Sequence, residues 1–129
     1  MSIPSRSAEE YQRTTVLIVD DDAQFRQLAS DLLADRGYEV VGWAGTVGDA
    51  VAECNRLDPD AVLLDVRLPD GNGVALAKKL SANSKGPKIL LTSTDREAVA
   101  PAELRESGAT GFLPKTELAR RELGPFLGC

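Results

Sequence analysis

The chain has 129 residues, 43% hydrophobic and 27% charged, with a formal net charge of −5, which suits one globular domain and argues against a general nucleic-acid or anionic-membrane surface. No apolar run reaches the length of a membrane span and the N-terminus lacks a signal-peptide core, so a cytoplasmic location is expected. Histidine is absent and Cys54 and Cys129 are the only cysteines, which excludes Ser-His and Cys-His hydrolases, His-ligated metals and a disulfide framework.

Residues 1–14 are polar, without sustained period, and read as a flexible tail; the folded domain is expected over 15–129. Thr15–Val19 is a continuous apolar run, the pattern of a strand buried on both faces, and it ends in Asp20-Asp21-Asp22. A helix follows, with Phe25, Leu28, Ala29, Leu32 and Leu33 on one stripe. Asp21 or Asp22 can cap its start and Gly37 its end. Tyr38–Trp43 is a second strand, with Trp43 read as a packing residue. Thr46 opens a second helix whose inner stripe is Val47, Ala50, Val51 and Cys54. Cys54 then reads as a small core residue, and Asp58-Pro59 closes the helix.

Ala61–Asp65 is the second continuous apolar run. Asp65 at its end fits either a turn-forming Asp or a reactive carboxylate placed where ligands bind in open parallel sheets. A helix is expected from about Asn72 to Ala82, with Val74, Ala77 and Leu80 inward. Lys88–Leu91 is the fourth strand and runs into Thr92-Ser93-Thr94. Pro101 belongs in a first helical turn, so the spacing predicts a loose turn at 95–99 and a helix at 101–107 ended by Gly108. Thr110–Leu113 is the fifth strand, leading to Pro114-Lys115. Thr116 caps a last helix over 117–127, with Leu118, Leu123 and Phe126 or Leu127 inward.

Five β-α alternations imply an α/β fold, (βα)5, a doubly wound parallel sheet with the flavodoxin-like strand order 2-1-3-4-5. That order brings the ends of strands 1, 3, 4 and 5 to one edge, with Asp20, Asp21 and Asp65 converging at the switch point. Clustered carboxylates repel and take up protons unless a cation neutralises them. An oxygen-only donor set suits Mg²⁺. Lys115 adds a mobile cation and Thr92 a hydroxyl. Together they suit phosphoryl transfer to a carboxylate nucleophile.

The stretches VLIVDDDAQFR (16–26), LLDVRLPDGNG (63–73), ILLTST (89–94) and SGATGFLPK (107–115) resemble, in order and spacing, the motifs of receiver domains of bacterial two-component response regulators, over roughly residues 15–127. The resemblance implies that Asp65 is the phosphoacceptor, taking its phosphoryl group from a sensor histidine kinase or phosphotransfer protein. It implies that Asp21 ligates Mg²⁺ directly and Asp20 mostly through water, and that Asp65 and the Arg67 backbone carbonyl complete the protein ligands. Thr92 would bond a phosphoryl oxygen and Lys115 would pair with the phosphoryl group. Thr92 and Phe112 would form the switch, and Arg67 and Thr94 would tune phosphate lifetime. The chain departs from the commonest pattern at Asn72, at Phe112 in place of Tyr, and at Thr116, where the usual Pro would favour a cis peptide.

Such a module catalyses only its own phosphorylation and dephosphorylation, and so is not an enzyme in the ordinary sense. It is expected to stand alone, to switch a surface read by a downstream protein target, and to make no direct nucleic-acid or membrane contact. Arg96, Glu97, Arg105, Glu117, Arg120 and Arg121 could line a helix 4–strand 5–helix 5 face for partners or a dimer, or form a plain solvated surface. The alternatives are a receiver-fold interaction module with vestigial phosphorylation, or the receiver half of a longer transcriptional regulator. A true phosphohydrolase would need an acid/base carboxylate two residues beyond Asp65, where Arg67 stands.

Overall fold

The computed structural model describes residues 13–128; most of the proposed N-terminal tail, residues 1–12, and Cys129 lie outside the described residues. The apolar runs form strands β1 (Thr15–Val19), β2 (Glu39–Ala44), β3 (Ala61–Asp65), β4 (Lys88–Ser93) and β5 (Gly111–Pro114). Between them lie helices α1 (Ala23–Asp35), α2 (Val47–Leu57), α3 (Gly73–Ser81) and α4 (Pro101–Ser107). A 3-10 helix over Lys115–Arg120 and a short α5 (Gly124–Leu127) follow β5. The five strands form one parallel sheet in the order β2-β1-β3-β4-β5. This is the doubly wound, flavodoxin-like order expected from the alternation.

Alternation along the strands divides the core into two layers. Val16, Ile18, Leu63, Leu90 and Leu113 face α1 and the C-terminal segment, packing with Phe25, Ala29, Leu33, Leu118 and Leu127. Leu17, Val19, Leu64, Ile89 and Leu91 face the other way, against Ala50 of α2 and Leu76 and Ala77 of α3. Both faces of β1, β3 and β4 are covered, which is why those strands read as unbroken apolar runs. Burying each such Leu, Ile or Val stabilises the fold by about 1.5–3 kcal/mol.

The helix starts follow the sequence. Asp22 Oδ1 accepts from the Gln24 and Phe25 amides, Thr46 Oγ1 from Asp49, and Asn72 Oδ1 from Val74 and Ala75. Gly37, just past α1, has φ +90°, the left-handed geometry that favours glycine at a helix end. The peptide bonds of the described residues are all trans, Lys115–Thr116 included.

Three expectations need correction. The last helix is not continuous over 117–127. Arg121 is extended, with φ −111° and ψ 149°, and Pro125 sits in the first turn of a separate short helix. In an unbroken helix Pro125 would lack its hydrogen bond and its ring would meet the Arg121 carbonyl. The Arg36 guanidinium takes up the carbonyls freed by the break, donating to Ala119 and Arg121. Leu28 does not join the α1 stripe. It is 66% exposed, because the row Phe25–Ala29–Leu33 points at the sheet with Leu32 packed beside it. Trp43 is 59% exposed and packs only on the surface, with the Arg26 guanidinium 3.9 Å from its ring centroid. Cys54 is half-buried within the α2 layer, and burial, with a smaller push from Glu53, raises its thiol to about 11. It stays protonated, as a core residue should.

Candidate functional site

The parallel register sets Asp65 directly beside Thr92. Asp20 follows β1 and Lys115 follows β5, so four strand ends meet at one edge. Carboxylate oxygens of Asp20, Asp21 and Asp65 all lie within 4.8 Å of one another. Asp20 is 1% exposed and Asp65 is also buried, whereas Asp21 faces solvent.

The Lys115 ammonium holds this cluster together. Its Nζ lies 2.6 Å from Asp20 Oδ2 and 3.5 Å from Asp65 Oδ2, and 4.2 Å from the Phe25 ring centroid. The buried Asp20 Oδ2 is met by the Lys115 ammonium in a close ion pair. Asp20 Oδ1 accepts from the Asp22 amide at 2.9 Å. Asp65 Oδ1 accepts from the Arg67 amide at 3.2 Å.

Burial raises the Asp65 carboxyl above its usual range and repulsion from Asp20 adds to the effect, against the opposing pull of the Arg67 amide and Lys115. Burial pulls the Lys115 ammonium down, but Asp20 and Asp65 together carry it above its ordinary value. One ammonium faces three carboxylates. A divalent cation would complete the neutralisation, and an all-oxygen donor set fits Mg²⁺.

A second observation points to an anion beside that cation. Thr92 Oγ1 is buried without a hydrogen-bond partner. A buried hydroxyl left unpaired costs free energy, and such groups cluster where a ligand completes them. It stands beside Asp65 in the sheet, where a group attached to Asp65 could supply the acceptor.

The loop after β3 is a narrow ribbon. Arg67–Leu68 pair antiparallel with Gly71–Asn72. The Gly73 amide donates to the Val66 carbonyl at 2.6 Å. In such a ladder bonded and non-bonded pairs alternate, so the Arg67–Asn72 pair has its backbone groups turned outward. The Arg67 amide goes to Asp65 accordingly, which leaves its carbonyl free for another partner. Gly73 is required here: a β-carbon would clash with the Asp65 carbonyl and lie 2.9 Å from Val66 Cα.

The structure brings together Asp20, Asp21, Asp65, Thr92 and Lys115. It turns the Arg67 side chain outward, to Asp95 Oδ2 at 3.5 Å. Thr94 is exposed at the rim. Phe112 packs half-buried against the layer that includes Ala98, Val99 and Leu104. Arg96 pairs with Glu117 at 3.0 Å, so two residues of the charged face satisfy each other. Nothing in the sequence marks Asp95 or Arg26 as site residues. The Arg26 guanidinium donates to the Asp20 carbonyl at 2.8 Å. An apolar helix stripe predicts Phe25 as core, and only the fold brings it under Lys115.

Comparison with known proteins agrees with this geometry. Residues 16–123 match the family described as Response regulator receiver domain. The chain is 34% identical over 100 residues to the chemotaxis protein CheY of Thermotoga maritima, covering 78% of this chain and 83% of that protein. It is 43% identical over 112 residues to the DNA-binding transcriptional activator DevR/DosR of Mycobacterium tuberculosis, covering 81% of this chain and 51% of that one. Among solved structures, the chemotaxis response regulator CheY4 of Vibrio cholerae superposes with TM-score 0.71 at 32% identity, covering 81% of this chain and 88% of that chain. The chain spans only part of several relatives: 26% of a protein-glutamate methylesterase/protein-glutamine glutaminase of Pseudoalteromonas translucida and 56% of the transcriptional regulatory protein PdtaR of M. tuberculosis. With the match covering most of its length and the acidic strand ends in place, this chain belongs to the response regulator receiver domains of two-component signalling.

Proposed function

We propose that Asp65 accepts a phosphoryl group from the phosphohistidine of a sensor kinase or phosphotransfer protein, and that the phosphorylated form presents an altered surface to a downstream protein. The observation that carries this reading is the unpartnered Thr92 hydroxyl buried beside Asp65. The Asp65 carboxylate attacks phosphorus. The P–N bond breaks as the O–P bond forms, and the donor imidazole leaves with the electron pair. Asp20, Asp21, Asp65 and the outward Arg67 carbonyl would hold Mg²⁺, which would supply charge neutralisation for the carboxylates and the phosphoryl oxygens. Lys115 transfers its ion pair from Asp20 towards the phosphoryl group, and Thr92 donates its hydroxyl to a phosphoryl oxygen. That new bond draws Thr92 inward and biases Phe112, an existing two-state element of the β4–β5 edge.

The Arg67–Asp95 pair and Thr94 stand at the rim of the site and set how readily water reaches the phosphoryl group. The acidic chain, with net charge −5, acts through protein partners in the cytoplasm, with no direct nucleic-acid or membrane contact, and any dimer would use the α4–β5–α5 face. Among the described residues no helix is long and apolar enough to cross a membrane. A second reading is favoured by the partial coverage of DevR/DosR and PdtaR: the same switch serving as the receiver part of a longer regulator. The test of the phosphoacceptor itself is incubation with Mg²⁺ and acetyl phosphate, followed by intact-mass measurement. The wild type should gain one phosphoryl group and Asp65→Asn none. No gain, or an equal gain in both, would reject the proposal and leave the vestigial interaction module.

A further inference from the structure

The ribbon that carries Arg67 is two residues wide on each strand, too small to hold its position unaided. Its base is fixed by the Val66–Gly73 bond and by Leu68 packing on the α2–α3 layer. Its tip is fixed elsewhere. Asp70 Oδ1 accepts from the Val47 amide at 2.7 Å and Oδ2 from the Gly48 amide at 3.1 Å. These two donors hold the Asp70 carboxyl below the usual carboxylate range.

A helix start leaves its first N–H groups without intrahelical partners. In α2 they are shared between two segments: Thr46 takes Asp49, and Asp70 takes Val47 and Gly48 from across the fold. The carboxylate also sits at the positive end of the helix dipole. Next to it the backbone is in close contact, since a β-carbon on Gly71 would come within 3.0 Å of Val47 Cγ2. The ribbon is therefore held at both ends, with Arg67 between them.

We propose that Asp70 is a positioning residue for the metal site: by clamping the ribbon tip to the start of α2 it holds the outward Arg67 carbonyl in place for the cation. This rests on the Mg²⁺-dependent reading above. The geometry also couples the first turn of α2 to the site, through a residue that touches neither metal nor phosphoryl group.

The experiment is a calorimetric titration of the whole chain with MgCl2, on the wild type, Asp70→Ala, Asp70→Asn and a charge-matched control, Asp49→Ala, which removes an exposed acid from the same turn of α2. Amide hydrogen exchange is followed at Val47, Gly48 and Arg67. Asp70→Ala should weaken Mg²⁺ binding roughly tenfold more than Asp49→Ala, as loss of a residue supporting a metal ligand does, and should speed exchange at the three amides. Asp70→Asn keeps one acceptor and should fall between, and it carries the comparison should Asp70→Ala fail to fold. Phosphorylation by acetyl phosphate at saturating Mg²⁺ should persist in both. Equal affinities in the Asp70 variants and the control would overturn the proposal, because only charge would then matter. A wild type that binds no Mg²⁺ would instead overturn the metal reading beneath it.

Discussion

Replacing Thr92 by Val should make the unphosphorylated domain more stable while crippling its response. The Thr92 hydroxyl is fully buried and unpartnered. Leaving such a group unsatisfied costs roughly 1–3 kcal/mol. Val keeps the β-branch that suits the strand and fills nearly the same volume, so the substitution removes that cost and opens no cavity. Taking the low end, the gain is about 1 kcal/mol, or about 4 °C in Tm for a domain of this size. Urea and thermal unfolding in EDTA measure it directly. The same variant, phosphorylated with acetyl phosphate and Mg²⁺, should show little of the added stability and little of the Phe112 shift (read by NMR) that the wild type gains. A Thr92→Val domain less stable than wild type by more than about 0.5 kcal/mol would show instead that the hydroxyl is already satisfied in the resting state.

Other outcomes follow from the same geometry. Asp65 titrates above its unfolded value in the metal-free domain, mainly through burial. A raised carboxyl favours folding below the unfolded pKa, and that contribution is lost as pH rises through the folded pKa. Asp65→Asn should therefore flatten this loss and leave the metal-free protein more stable than wild type at neutral pH; a less stable variant would contradict the assignment. Mg²⁺ affinity should fall as pH drops through the same raised value, because the protonated carboxyl cannot ligate, and calorimetry across mildly acidic pH would show this. Arg67→Asn and Asp95→Ala, which each break an exposed ion pair, should shift stability by less than about 1 kcal/mol. Both should shorten the phosphoryl lifetime, measured as decay of the phosphorylated mass; an unchanged lifetime would remove the pair from any role in water access. Leu28 is exposed beside a groove of about 270 Å³ that it shares with Phe25, Leu32, Lys115 and Leu118. Leu28→Glu should slow phosphotransfer from a phosphohistidine protein without changing the rate from acetyl phosphate.

Most of the site was legible because it is built from strand ends. An apolar run that stops at a polar residue marks the point where a buried strand leaves the sheet, and parallel order then puts Asp20, Asp65, Thr92 and Lys115 at one edge. What escaped depends on contacts between segments distant in sequence. Nothing local to Asp70 indicates that its carboxylate reaches Val47 and Gly48, and nothing local to Arg67 indicates that it turns to Asp95 rather than over Asp65. Lys115 reads as a partner for the phosphoacceptor, yet at rest it sits closer to Asp20, where burial makes an uncompensated charge most costly. The break in the last helix had a local signal in Gly124-Pro125, outweighed by the apolar spacing of Leu118, Leu123 and Leu127. All three are buried, reached by a 3-10 helix and a short α-helix instead of one long helix. Leu28 fell on the predicted stripe because periodicity alone cannot tell a helix facing a sheet from one flanked on two sides.

In the proposed reaction Asp65, and not Asp20 or Asp21, carries the phosphoryl group. Borohydride reduces an acyl phosphate to the alcohol, so an aspartyl phosphate becomes homoserine. Peptide mapping of borohydride-treated protein, after incubation with Mg²⁺ and acetyl phosphate, should find homoserine at position 65 alone and find none when EDTA replaces Mg²⁺. Homoserine at position 20 or 21, or a yield independent of Mg²⁺, would contradict the account.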